Sequence, residues 1–417
     1  MYLLVAVGTL TSLYYFLPYY LDPYDYRRRF HGPRLAVFSN LWLSRATQAL
    51  KRQIAVDEMQ QKYDTFVRIA PNRISIADPV AFEVIYGHLS RLLKTDFYNE
   101  FFVDEPDMFT TSYQELPIFS VPKMSRHSSH AYSSIFGSFA NSKLIAVMRQ
   151  HEVRRAKIGR LGMGAQSLNA PNVRFGYLGF DVICDLALGS SFGLIESQRD
   201  NVPLKRSTNN RISNIPVIEG IFNFARLTIA KVDDKLKQVK RAAEKPEDLT
   251  PMIDIIDKLL ELKDNLKNGA ILSRKELLSD AFLFLFAGMG LPRVVPPGQT
   301  FTFKGEAFKE GSVISVPSLT INQMDVWGPD SKLFIPERWL GPEFTKYYSP
   351  FSFGTRACIG RNLATMQILL VTATLFRRYD VLLAPSHCGN QVQMREAIQR
   401  KVKDCNIAIK LWKGESN

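Results

Sequence analysis

From Tyr2 to Leu21 no side chain is ionised at neutral pH. The run YLLVAVGTLTSLYYFLPYYL, about 20 residues, would span roughly 30 Å as helix and predicts a transmembrane anchor over 1–21. Tyr14, Tyr15, Tyr19 and Tyr20 gather toward one end, where amphipathic rings favour a membrane interface. Arg27, Arg28 and Arg29 follow, and no charge precedes the run, which places the body on the cytoplasmic side. A cleaved signal peptide competes, but there is no basic start and no small-residue cleavage site. A buried core helix is the plainer alternative. Pro23, Gly32 and Pro33 mark 22–36 as a linker that lets the body turn away from the anchor.

Further along, apolar positions recur at helical spacing over 44–63 (Ala46, Leu50, Ile54, Met59). Residues 65–77 alternate around Pro71–Asn72 as a β-hairpin does, and Asp78–Pro79 opens a helix through Tyr86. Helical patterns cover 141–160, 174–189, 226–245, 249–266 and 273–288, the last opened by a Ser273–Glu276 capping box. From 291 the texture turns to Pro, Gly and short alternating runs at 300–303 and 312–316, which predict a small sheet. A final helix runs from about Ile359 to Arg378. No repeat or low-complexity tract interrupts the pattern, and no later segment reaches 18 apolar residues. The chain reads as mainly α with a small β-sheet region.

Composition sharpens this only in part. At 417 residues, 46% hydrophobic and 22% charged, the chain is globular, not disordered or collagenous. A net charge of +13 suits an anionic membrane surface or an acidic electron donor. Nucleic acid is disfavoured, because the basic run 231–245 lacks interleaved aromatics and reads as a solvated helix face. The four cysteines, at 184, 358, 388 and 405, form no C-x-x-C pair, which argues against a disulfide scaffold or zinc ribbon.

The chemistry gathers in FSFGTRACIG at 351–360. A cysteine that binds haem iron must be a thiolate, which a helix N-terminus and the metal both favour. Phe351 can shield the sulfur by packing over it. Gly354 permits a tight loop, Gly360 lets the following helix pass close under a flat macrocycle, and Arg356 can pair with a propionate. A thiolate ligand then favours O–O cleavage. The plain alternative is a buried structural cysteine. Five fixed positions together coincide by chance at about one in ten thousand for this length.

With these residues the sequence resembles the cytochrome P-450 family, whose haem-binding signature FSFGTRACIG matches. Pro336, Glu337, Arg338 and Trp339 resemble its P-E-R-[FW] element. LPRVVPPG at 291–298 and SVPSLTINQMDVWGPD at 315–330 are similar to the strand and meander entry before it. DVICDLALGSSFG at 181–193 resembles an internal helix of fungal microsomal members, FVRIAPNRISIADP at 66–79 their first hairpin, and AFLFLFAG at 281–288 half of the oxygen-binding helix. LWLSRA, YGH and LPRVVP resemble the fungal benzoate 4-hydroxylase group. The likeness covers most of 1–110 and 174–417.

Two departures stand out. The family's oxygen-binding helix continues after Ala-Gly with an acid and Thr that relay protons, whereas Ala287–Gly288 is followed by Met289, Gly290, Leu291 and Pro292. The Glu-x-x-Arg helix that holds the Arg of P-E-R has no room before LPRVVP. Some tens of residues are therefore expected to be missing near 290, leaving Arg338 without its usual partners. Over 113–140 the family's basic cluster is replaced by Arg126, His127 and His130.

The resemblance implies a P-450-like fold, incomplete, preceded by a transmembrane helix. Residues 1–21 would be the anchor, 22–36 a linker and 37–417 a haem-thiolate monooxygenase domain, internally truncated near 290. Cys358 would ligate the iron of haem b, with Phe351, Gly354, Arg356, Gly360, Arg293 and His130 around the cofactor. Ala287 and Gly288 would leave space for O₂. Electrons would come from an NADPH-dependent reductase, at the endoplasmic reticulum membrane. The substrate would be a small apolar or aromatic molecule, an aromatic acid or an intermediate of secondary metabolism. The alternative is an inactive, truncated relative with weak or no haem binding.

Overall fold

The computed structural model describes residues 2–96, 167–168, 171–197, 226, 228–238, 241, 254, 292–354, 357–358, 360–383, 394–396, 400–402 and 407–411. The expected helices at 141–160, 249–266 and 273–288 lie outside them. The described residues fall into two compact units. One holds those of 1–98 and 289–358, the other those of 116–288 and 359–417.

In the first unit, α1 (Tyr2–Leu21) is a continuous 20-residue helix. Tyr2, Val5, Val7, Leu10, Leu13 and Leu21 are all exposed. Among the described residues no helix is long and apolar enough to cross a membrane. The run expected as an anchor forms one helix with no charged residue.

The segment 22–36 is not a loose linker. Asp22 turns the chain at once: its carboxylate accepts from the Tyr26 and Arg27 amides at 3.1 and 2.9 Å. Tyr26, in the short helix α2 (Tyr26–Arg29), is fully buried, and its hydroxyl bonds to Ser312. Phe30 stacks on Phe308 with centroids 5.6 Å apart, and Arg29 pairs with Glu306. Aromatic area drives this docking; each such ring contributes a large apolar payload.

Residues 44–63 split into α3 (Leu41–Gln48) and α4 (Arg52–Tyr63). The break is at Leu50, which sits at φ 57, a left-handed conformation that ends a helix. Strands β1 (Phe66–Ala70) and β2 (Arg73–Ile76) form the expected hairpin, and α5 (Ala81–Tyr86) the expected helix. Asp78 opens it by accepting from the Val80 amide at 2.9 Å. With β3 (Leu93–Lys94), β5 (Arg293–Val294) and β8 (Val313–Ser315) they make a five-stranded sheet in the order β1-β2-β8-β5-β3. The β2–β8 pair is parallel and the others antiparallel. A separate hairpin, β6 (Phe301–Phe303) and β7 (Glu306–Phe308), turns at Lys304 and Gly305, both at positive φ, as a tight two-residue hairpin loop requires. One core joins these parts: Ile74, Ile76, Ile85, Phe308 and Ile314 are buried, and α5 lies within it.

In the second unit, β4 (Ser167–Leu168), β9 (Tyr379–Leu383) and β12 (Ile407–Leu411) form a sheet in the order β4-β12-β9, and β10 (Met394–Glu396) pairs with β11 (Arg400–Val402). The helix Pro171–Leu188 matches the pattern at 174–189, and the helix Arg361–Arg378 that near 359. Residues 228–238 are helical, but the reading of 231–245 as a solvated face holds only in part. Lys231 donates to the Ser190 carbonyl at 3.2 Å and to Ser191 at 3.1 Å, and lies 4.7 Å from the Phe192 ring centre. Lys235 meets the buried Asp254 at 2.8 Å. Lys237, paired with Asp234 at 3.3 Å, and Arg241 are exposed.

Candidate functional site

The cysteine loop is built on the end of α5. Phe353 packs edge-on against Phe82 at 6.4 Å and joins the core. Ser352 and Gly354 both take positive φ, 60° and 70°. A Cβ at Gly354 would lie 2.5 Å from the Tyr86 carbonyl oxygen and the Gly87 carbonyl carbon. Only glycine fits there, because both the conformation and the space exclude a side chain. The loop then closes on itself: the Cys358 amide donates to the Phe351 carbonyl at 2.8 Å, and that of Ala357 to Gly354 at 3.1 Å.

These bonds present Cys358 outward. It is exposed, whereas Cys184 is buried; neither is in a disulfide. Phe351 holds the cysteine through its backbone carbonyl, and the thiol faces outward.

Arg293 arrives at the same turn of α5. It sits on β5, 6% exposed, with its guanidinium 5.0 Å from the Tyr86 ring centre. Tyr86 thus joins Gly354, through its carbonyl, to Arg293, through its ring. Sequence reasoning missed Tyr86 and Phe353; the Phe-x-Phe spacing before Gly354 was the available signal. Gly360 caps the helix Arg361–Arg378 at φ −79°, where its carbonyl accepts from the Ala364 amide at 2.8 Å. It needs no left-handed conformation there. Arg356, Ala287, Gly288 and His130 lie outside the described residues.

Arg338 is half-exposed, in the 3₁₀ turn Pro336–Leu340, and donates to the Asp330 carbonyl. Near it the meander exposes Leu333, Phe334 and Leu340 beside Trp339, whose ring lies 5.8 Å from that of Trp327.

The donor set suits a metal that brings most of its own ligands. Among the described residues no three His, Cys, Asp or Glu gather to hold an ion. Cys358 would hold the iron of a macrocyclic cofactor that brings its other donors in its own ring. Arg293 near the same turn supplies a cation for acidic groups.

The comparisons set this cysteine loop beside known proteins. The cytochrome P450 family profile matches residues 288–404. Benzoate 4-monooxygenase bphA of Aspergillus niger is 27% identical over 522 aligned positions, covering 98% of each chain. Cytochrome P450 monooxygenase lcsK of Purpureocillium lilacinum is 23% identical, over 87% of this chain and 78% of its own. Cytochrome P450 monooxygenase ORF9 of Penicillium roqueforti is 24% identical, over 85% and 83%. Over 288–404 the chain is thus similar to the cytochrome P450 family, whose members carry haem with the iron bound by a Cys thiolate. The 522 positions exceed the chain's 417 residues by 105, so at least that many residues of the Aspergillus relative face gaps.

Proposed function

We propose that residues 37–417 carry a haem-thiolate monooxygenase that inserts one atom of O₂ into a small apolar or aromatic molecule. The other atom leaves as water, with electrons from a reductase and protons from solvent. The observation that carries this reading is the outward Cys358, fixed by the Phe351 carbonyl and by Gly354 packed on α5. Cys358 would hold the iron; Arg293 and Arg356 would hold the acidic side groups of the cofactor. Haem, when bound, supplies the redox centre at which O₂ is activated. The substrate named for the Aspergillus relative, benzoate, makes a small aromatic acid the first to test. Helix α1, with its outward apolar side chains, would attach the protein to the endoplasmic reticulum membrane.

A second reading is favoured by one specific observation. At least 105 residues of the Aspergillus relative face gaps in this chain. Near 290 the expected acid–Thr pair and Glu-x-x-Arg are absent from the sequence. On that reading the chain binds haem weakly and turns over little. A reduced CO-difference spectrum decides: a thiolate-type Soret band supports the monooxygenase, and no band supports the inactive relative. Inserting a family-typical block after Gly288 should then recover the band.

A further inference from the structure

Register partners in a sheet point to the same face. In the first unit's sheet they make one row from β1 to β3: Arg68, Ile74, Ile314, Arg293 and Lys94. Ile74 and Ile314 are fully buried, in the core that α5 shares through Ile85 and Tyr86. Beyond them the row ends in two neighbouring cations. Neither register partner of Arg293 is an acid, and like charges directly opposite each other cost stability. Such an end to the row suits a carboxylate that a ligand brings. Tyr86 completes the arrangement, with its ring centre 5.0 Å from the Arg293 guanidinium. A ring engages the face of a guanidinium and leaves its N–H edge to donate elsewhere. One such N–H reaches the Pro292 carbonyl at 3.5 Å. The ring is itself held in place. Phe82 lies 5.7 Å from it, the Gly87 amide donates to the Glu83 carbonyl at 2.7 Å, and the Ser90 hydroxyl donates to the Ile85 carbonyl at 2.7 Å.

We propose that Tyr86 is a positioning residue for the cofactor: its ring sets the Arg293 guanidinium to receive an acidic side group of haem. Its carbonyl, at the end of α5, meanwhile seats Gly354 and with it the cysteine loop. One helical turn thereby aligns the cation for the acidic group with the sulfur for the iron. A long side chain fixed before its ligand arrives loses less rotamer freedom on binding, so the arrangement favours affinity. The ring contact fixes Arg293 without using the N–H groups that a carboxylate needs. This role rests on the haem reading given above.

The test titrates haem, and separately haem dimethyl ester, into the full chain and reads the Soret band. The ester lacks the acidic groups and keeps the iron. Tyr86→Leu is expected to weaken haem binding about tenfold and to leave ester binding within about twofold of wild type. Tyr86→Phe should bind both as the wild type does, because the ring face remains. In an Arg293→Gln chain, adding Tyr86→Leu should cost haem nothing further. Progressively fluorinated phenylalanines at position 86 keep the shape and weaken the ring face. They should lose haem affinity step by step and not ester affinity, and they decide the matter even where Tyr86→Leu does not fold. Equal losses of haem and ester in Tyr86→Leu would reduce Tyr86 to packing and overturn the proposal, as would a fluorinated series without a trend. A wild-type chain that binds the ester as tightly as haem would remove the acid contact and overturn it too. A wild-type chain that binds neither would overturn the haem reading and the proposal together.

Discussion

Two cysteines divide the molecule. Cys184 lies on the helix Pro171–Leu188 at 0% exposure. Burial pushes its thiol well above the usual range, Asp181 and Asp185 add to the rise, and Lys231 opposes it. Cys358 is exposed at the end of a loop whose described bends are enforced: positive φ at Ser352 and Gly354, no room beside Gly354, and a backbone bond to Phe351. The first site spends its surroundings on packing, which makes a thiol inert. The second places its packing one step away, in Phe353 and α5, and leaves the sulfur accessible.

The sharpest way to break this comparison is to exchange sulfur for oxygen at each site. Cys358→Ser should abolish any thiolate-type CO-difference band while leaving the far-ultraviolet circular dichroism unchanged. Cys184→Ser should keep the band and lose about 1–3 kcal/mol of stability, the cost of a hydroxyl in an apolar site. A retained band in Cys358→Ser would remove the ligand assignment.

Thiol chemistry gives the next largest contrast. With Cys388 and Cys405 replaced by serine, an aromatic disulfide reagent should modify Cys358 at once. Cys184 should react on the order of a thousandfold more slowly, only through local opening that costs about 4 kcal/mol. Raising the pH to 9 should not close the gap, because burial holds the Cys184 thiol protonated beyond it. Equal rates, counted by mass spectrometry, would mean that the helix opens freely.

Much of the comparison was legible beforehand, and the reasons differ by residue. The hairpin at 65–77 and α5 followed from alternation and from Asp78–Pro79, because local rules decide them. The importance of Gly354 was legible from its place in FSFGTRACIG. That Tyr86 and Gly87 are what it packs against was not, since they lie more than 260 positions away in sequence. The segment 22–36 was misjudged for the same reason. Pro and Gly there signalled a loop, but Tyr26 and Phe30 bury against Ser312 and Phe308, long-range partners that no local pattern names. Lys231 and Lys235 read as solvated until Ser190 and Asp254 came beside them.

A pair of glycines extends the contrast at smaller amplitude. Gly354 and Gly189 share nearly the same conformation, φ 70° and 69°. An added Cβ meets backbone at Gly354, 2.5 Å away, but meets the end of the Asp254 side chain at Gly189, 2.7 Å away. Backbone cannot yield without moving α5, whereas a carboxylate can rotate. Gly354→Ala is expected to cost about 3 kcal/mol or more and to loosen the cysteine loop. Gly189→Ala should cost about 1–2 kcal/mol, mostly conformational. Denaturation midpoints of the two variants, measured together, check the order; the reverse order would place the strain in the wrong unit.

The smallest effect tests whether burial itself, and not the unit a group belongs to, governs protonation. Tyr26 shares the condition of Cys184 but lies in the unit of Cys358. Burial lifts its phenol to about 12, against the opposing pull of the Ser312 bond and Arg29. The unfolded phenol titrates near 10. Between those values the unfolded chain loses the proton and the folded chain keeps it, so the folded state binds more protons and stability falls as pH rises. The contribution is whole below pH 10 and is gone once pH passes about 12. Tyr26→Phe keeps the ring among Phe30 and Phe308, loses the bond to Ser312 at about 1 kcal/mol, and should flatten the alkaline decline attributable to this residue. Denaturant unfolding of both chains at pH 8, 10 and 11 measures it. Parallel curves across that range would show that the Tyr26 proton is not held by burial, and that its docking rests on the aromatic contacts alone.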